Sequence, residues 1–138
     1  DRLKAGLERQ AEITLDIGNP HLVLLVEEPD WVDMGLAGRI HEEQYDGGIN
    51  VHAIAPTPGE DDAITVRHWE RGAGITLACG SGASVSAMAA NQWDLVGTDV
   101  TVHMPGGDAT VHLGDTVVLR GPSVHIAELV VEDLEDRR

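Results

Sequence analysis

The chain has 138 residues, enough for a single domain with a buried core and short for two. Its 24 acidic against 9 basic residues give a formal net charge of -15, which repels phosphate backbones and anionic lipid and so argues against nucleic acid and membrane partners. There is no Phe and aromatics make up 3%, so the core must be built from Val, Leu, Ile and Ala, residues that suit sheet. No apolar run reaches the roughly 20 residues of a membrane helix, and the opening Asp1-Arg2-Leu3-Lys4 has no signal-peptide stretch, so a cytoplasmic protein is expected.

Alternating or β-branched runs bounded by turn residues predict strands over 13–17, 21–26, 49–55, 63–69, 99–104, 109–113, 116–119 and 124–131. The turns between them are explicit in Gly18-Asn19-Pro20, Pro56-Thr57-Pro58-Gly59, Pro105-Gly106-Gly107, Gly114-Asp115 and Gly121-Pro122. Two stretches interrupt this rhythm. Residues 33–45 space Met34, Leu36, Ile40 and Tyr45 as one helical face behind a capping Asp33. Residues 79–93, rich in Ala, Met, Ser and Gln after a Gly-rich entry, predict a helix packed inside the sheet. The acidic run 132–136 reads as a solvated tail.

The segment carrying chemistry runs from Trp69-Glu70-Arg71-Gly72 to Ala78-Cys79-Gly80-Ser81-Gly82-Ala83, where a strand ends in a charged pair and glycines deliver the only cysteine to a helix start. A helix N-terminus presents unpaired N–H groups and partial positive charge. A contribution of ~1 kcal/mol corresponds to a little under one pKa unit, so the thiol is expected to titrate below its ordinary value of about 8.5, against the opposing charge of Glu70. Gly80 and Gly82 uncover backbone amides and Ser81 adds a hydroxyl, a turn suited to a carboxylate. The plainer reading of the same turn is a buried, inert Cys79. Arg71 and Glu70 are either a surface ion pair or contacts to a substrate carboxylate and ammonium. Asn19 and Asn50 are either turn formers or amide donors to a polar ligand.

Seven histidines raise the question of a metal. His52, His68, His103, His112 and His125 fall on separate predicted strands at no ligand spacing, so they read as exposed strand positions and no metal is expected.

In order along the chain, Asp16-Ile17-Gly18-Asn19-Pro20-His21, Gly48-Ile49-Asn50-Val51, the Trp69 to Gly72 and Ala78 to Ala83 segments, Met104-Pro105-Gly106-Gly107 and Arg120-Gly121-Pro122 together resemble the diaminopimelate epimerases. The resemblance implies an α+β fold: a curled, mostly antiparallel sheet or barrel wrapped around a central helix, one half of a pseudo-symmetric two-domain enzyme. Residues 1–138 are then a single domain corresponding to the C-terminal half, with the N-terminal half absent from the chain. The activity it implies is inversion of LL-diaminopimelate to the meso form, a step towards lysine and peptidoglycan precursors, with no cofactor: one cysteine takes the α-proton as thiolate and a second returns a proton as thiol. Cys79 matches the second cysteine, Asn19, Asn50, Glu70 and Arg71 match substrate-binding residues, Gly80 and Ser81 match the amides that receive the α-carboxylate, and His21 and Glu70 match residues that tune the thiols. The partners implied are the amino-acid substrate, the absent N-terminal half and a second copy in a homodimer.

The chain departs from the family pattern at Ile75, where many members have Glu, at Ser81, where Thr is commoner, and at Ser84-Val85-Ser86, which replaces a run that often holds another Cys. Two other readings stand beside the first. One is a related racemase of the same fold acting on another amino acid; the other is a non-catalytic amino-acid-binding module that keeps the helix-start anion site.

Overall fold

A computed structural model describes residues 9–131; the acidic run 132–136 lies outside them. Eight strands form one sheet: β1 (Arg9–Asp16), β2 (Pro20–Val26), β3 (Asn50–Pro56), β4 (Ala63–Glu70), β5 (Gly74–Thr76), β6 (Asp99–Met104), β7 (Gly107–Leu113) and β8 (Val117–Arg120). The order is β1-β2-β3-β4-β6-β7-β8, with β5 paired to β4 off this path. Adjacent strands are antiparallel except β2 with β3 and β4 with β6. Parallel neighbours need a crossover, and each crossover carries a helix: α1 (Met34–Glu42) joins β2 to β3, and α2 (Gly80–Gln92) lies between β4 and β6.

The two helices cover opposite faces of the central strands, which is why β2 reads as a continuous apolar run. Val23 and Leu25 join Ile54, Ile64 and Val66 against α2, whereas Leu22, Leu24 and Val26 join Val51, Ala53, Met34 and Ala37 on the α1 side. The buried face of α2 is small, with Ala83, Val85, Ala87, Ala89 and Ala90 letting the sheet curl closely around it. Val100, Val102 and Val111 of β6 and β7 complete that cluster, so α2 is the central helix the resemblance implied. Asp33 caps α1 by accepting from Leu36 N at 3.0 Å. Gly38 on that helix admits the Trp69 ring, which an added Cβ would meet at 2.1 Å.

The structure corrects the sequence reading in three places. The helix expected over 33–45 ends at Glu42, and Tyr45 packs on the same core from the turn that follows. A short strand, β5, forms within the glycine-flanked segment before Cys79. The strand expected over 124–131 does not form: β8 pairs with β7 alone, and Val124, Ile126 and Val130 stand 81%, 93% and 92% exposed. Alternation gives a segment the capacity to pair but does not dock it: among the described strands the outer edges of β1 and β8 are open, and 124–131 lies on neither.

Candidate active site at one end of the sheet

Strand register gathers the expected residues. His21 on β2 pairs across the parallel ladder with Asn50 on β3, and Val51 pairs with Trp69, so the start of β3 lies beside the end of β4 where Glu70 and Arg71 follow. Asn50 fastens the three strands together: its Nδ2 donates to Pro20 O at 2.9 Å and its Oδ1 accepts from Arg71 N at 2.9 Å. One N–H and one lone pair of that amide are left for other partners. Asn19 projects from the preceding turn, held by Gly18 N donating to Asp16 Oδ1 at 2.7 Å, with Gly18 at φ 110° where a side chain would be strained. Asn19 Oδ1 lies 3.0 Å from His21 Nε2.

Cys79 is the N-cap of α2. Its backbone is extended, and Sγ accepts from Gly82 N at 3.2 Å and lies 3.6 Å from Ser81 Oγ. Ala83 N closes the first turn on Cys79 O, which leaves the amides of Gly80 and Ser81 without helical partners, as at any helix start. The thiol is half-buried. The expectation of a lowered thiol pKa is corrected here. Burial pushes the Cys79 pKa up, the contacts from Ser81 and Gly82 pull it down, and the Glu70 carboxylate beside it raises it again, for a net rise. Glu70 is itself placed by Thr76 Oγ1, which donates to its Oε1 at 2.8 Å across the β4–β5 pair. It also acts on His21, whose pKa is lowered by burial and partly restored by Asp16 and Glu70.

Arg71 faces differently from the rest. Its Nη1 donates to Gly47 O at 3.1 Å, and its side chain covers Gly48, where an added Cβ would come within 2.9 Å of Cδ. Its remaining guanidinium N–H groups are the ones left to meet a carboxylate.

A cleft of about 300 Å³ opens beside Cys79, lined by Gly80, Met104, Gly106, Leu119, Gly121 and Pro122 among others. From sequence, Met104 to Gly107 and Arg120 to Pro122 are turns and marks of the resemblance, with no place in the site. The fold brings both segments to the cleft beside the thiol, and Gly106 N donates to Leu77 O at 2.7 Å, an approach so close that an added Cβ would lie 3.0 Å from that oxygen.

Two histidines are also corrected. His52 and His68, read as exposed strand positions, are 0% and 1% exposed beneath the first turn of α2, in contact with each other and, through His52, with His21. His112 and His125 are exposed, and His103 is partly so, its ring bound by Asp108 and Glu60. His52 faces His68 directly in the β3–β4 register, so pairing of sequence-distant strands creates the cluster. The alternation that places both inward could have signalled it.

The sequence model of the family described as Diaminopimelate epimerase matches residues 13–126. The diaminopimelate epimerase of Halothermothrix orenii is 35% identical over 136 residues, covering 95% of this chain and 47% of the relative. That of Zymomonas mobilis is 35% identical over 116 residues, covering 81% and 42%. The chain therefore spans about half the length of the curated relatives it matches. In structure it is similar to a phenazine biosynthesis protein of the PhzF family from Enterococcus faecalis, with a TM-score of 0.56 at 15% identity over 71% of this chain and 35% of the other. A putative phenazine biosynthesis PhzC/PhzF protein from Clostridium difficile superposes with a TM-score of 0.54 at 16% identity, over 75% and 38%. The order of motifs, the curled sheet around α2 and the match over residues 13–126 place this chain in the diaminopimelate epimerase family.

Proposed function

We propose that this chain supplies one face of an amino-acid epimerase site that inverts the α-carbon of diaminopimelate, with Cys79 as one of two proton-transferring thiols and the other on an N-terminal half not contained in residues 1–138. The observation that carries the reading is the placement of Cys79 as N-cap of α2, with Glu70 beside its thiol and Asn19, His21 and Asn50 together at the starts of β2 and β3. The unpaired amides of Gly80 and Ser81 suit the substrate α-carboxylate, and they lie next to the sulfur, so a carboxylate bound there holds the α-carbon within reach of Cys79. Glu70 suits the substrate ammonium, and Asn19 and Asn50 offer their remaining polar groups to its far end.

The raised pKa of Cys79 fits the proton-donating half of the reaction. A thiol that stays protonated at neutral pH can return a proton to a carbanion-like centre as a thiolate on the other face takes the original one. The helix-start amides then stabilise the thiolate left behind, so the charge appears where donors already point. No cofactor is invoked. A single thiol on a fixed helix end reaches one face of the carbon only, so inversion needs a second group opposite it.

The test is proton exchange at the α-carbon of LL-diaminopimelate in D2O. The 138-residue chain alone should be inert, and addition of an N-terminal half from a family member should start exchange that Cys79→Ala abolishes. Exchange by the isolated chain that is lost in Cys79→Ala would overturn the two-thiol reading. Exchange with another amino acid but not diaminopimelate would assign a related racemase, and ligand binding without any exchange would assign a binding module.

A further inference from the structure

Beneath the first turn of α2 three imidazoles are joined in a row. His21 Nδ1 lies 2.8 Å from His52 Nε2, and His52 Nδ1 lies 2.8 Å from His68 Nδ1. The outer end of the row is His21 Nε2, 3.0 Å from Asn19 Oδ1, and the inner end is His68 Nε2, buried without a partner. All three rings are within 1% of complete burial. Each occupies an inward position of its strand: His21 is two residues from Val23, His52 two from Ile54 and His68 two from Val66, and those three aliphatic residues form the α2-facing core. Apolar side chains would fill the same positions with no polar atoms to satisfy.

We propose that His52 and His68 are positioning residues for His21, the row of three rings fixing it as the neutral tautomer with its proton on Nε2, aimed at Asn19 and the candidate site. This rests on the reading of His21 as a site residue. The direction of the row follows from its ends. Asn19 Oδ1 can only accept, so His21 Nε2 carries a proton and its Nδ1 is a bare acceptor. His52 must then donate from Nε2 and accept at Nδ1, and His68 must donate from Nδ1. Its Nε2 is left as a lone pair, the one place where the row goes unsatisfied. The opposite direction would bury an unpaired N–H there and turn a donor of His21 away from Asn19. Each neutral imidazole has one donor and one acceptor, so fixing one end fixes all three rings.

The charged groups around the row do not break this order. Asp16 and Glu70 favour charge on His21, Arg71 opposes it, and burial prevails, so His21 stays neutral. His52 is held well below its ordinary value by burial and by its two histidine neighbours. His68 is lowered to about 4, chiefly by burial, with Glu70 raising it and Arg67 and His21 lowering it. From α2 the packed residue is Gly82, whose added Cβ would lie 2.6 Å from His52 Cε1 and 3.0 Å from His68 Nδ1. The same Gly82 donates its N–H to Cys79 Sγ, so the row also sets the height of the helix start that holds the thiol.

The test is the tautomer of each ring in the 138-residue chain labelled with 15N-histidine, read from long-range 1H–15N correlations at neutral pH. His21 and His52 should carry their proton on Nε2 alone and His68 on Nδ1 alone. His68→Asn keeps a donor where Nδ1 was and should leave His21 as a single Nε2–H tautomer, whereas Asn19→Ala removes the acceptor that fixes the outer end and should turn His21 and, through the row, His68 into mixtures of tautomers. A wild-type His21 protonated on Nδ1, or in a mixture, overturns the proposal. So does an unchanged His68 in an Asn19→Ala chain whose backbone amide spectrum is native. If Asn19→Ala does not fold, the wild-type tautomers and the His68→Asn comparison decide. None of these readings involves substrate, so the row stands or falls separately from the epimerase assignment.

Discussion

The contact between Gly82 and the two buried histidines gives a quantitative test of how the thiol is supported. In Gly82→Ala the new methyl group would lie 2.6 Å from His52 Cε1 and 3.0 Å from both His52 Nδ1 and His68 Nδ1, about 1 Å inside the ordinary separation of ~3.5–4.0 Å. The rings cannot swing aside freely, because each is bonded to its neighbour at 2.8 Å. Either α2 lifts at its start, at an overpacking cost of about 1–3 kcal/mol, or the His52–His68 bond opens and strands a buried polar group at about 1–3 kcal/mol. Alanine returns up to about 1 kcal/mol of helix propensity. The balance is a loss of about 2 kcal/mol, roughly a 30-fold shift towards the unfolded chain. Urea unfolding at pH 7, followed by tryptophan fluorescence, should show the midpoint falling by about 1 M with an unchanged slope. Gly35→Ala in α1 is the matched control: its Cβ would meet Asp33 Oδ1 at 3.4 Å and Ile75 Cδ1 at 3.8 Å, so it should be neutral or stabilising by a few tenths of a kcal/mol. A Gly82→Ala chain as stable as wild type would refute the packing argument and with it the support of the helix start by the histidine row.

Glu70→Gln should lower the titration point of Cys79, because the carboxylate beside the thiol disfavours its ionised form; alkylation rate against pH reads this directly, and an unchanged or higher midpoint would remove Glu70 from the thiol's surroundings. In a protein carrying both halves, Glu70→Gln or Arg71→Ala should cut kcat/KM by at least 100-fold, on the order of 3 kcal/mol of transition-state stabilisation, while shifting the urea midpoint little; equal losses of activity and folded protein would make the pair structural. Stability should also fall on acidification. His68 has a folded pKa of about 4 against 6.5 unfolded, so between these values the unfolded chain binds the extra proton. Its contribution is complete above about pH 6.5 and is lost as pH falls towards 4, by up to about 3 kcal/mol at ~1.4 kcal/mol per unit. His52 acts in the same direction. A urea midpoint that stays flat between pH 7 and 5 would contradict the burial of neutral histidines.

Local chemistry was enough to place most of the elements and the helix start that bears the thiol. Gly80 and Gly82 after Cys79, followed by an alanine-rich run, specify a helix entry in any context, and α2 begins there. The apolar run 21–26 likewise predicts a strand, and β2 forms there, though its cover on both faces is known only from the fold. What lay outside the reach of sequence depends on pairing between distant segments. Residues 124–131 carry a strand pattern as good as that of β7, yet extended backbone becomes a strand only where it docks on an edge, and the open edges of β1 and β8 are left without it among the described residues. The thiol pKa was misjudged for a similar reason. The helix start is local and visible in sequence, but the burial of Cys79 and the approach of Glu70 follow from the folding of β4 and β5 against α2, and together they outweigh it. His52 and His68 show the limit most plainly: sixteen residues apart and each unremarkable on its own strand, they become a hydrogen-bonded pair because antiparallel register sets them opposite one another on the face that α2 covers. Sequence determines which side chains a strand turns inward, and tertiary structure alone decides which of them meet there, because contact across a sheet depends on register and on what closes over it.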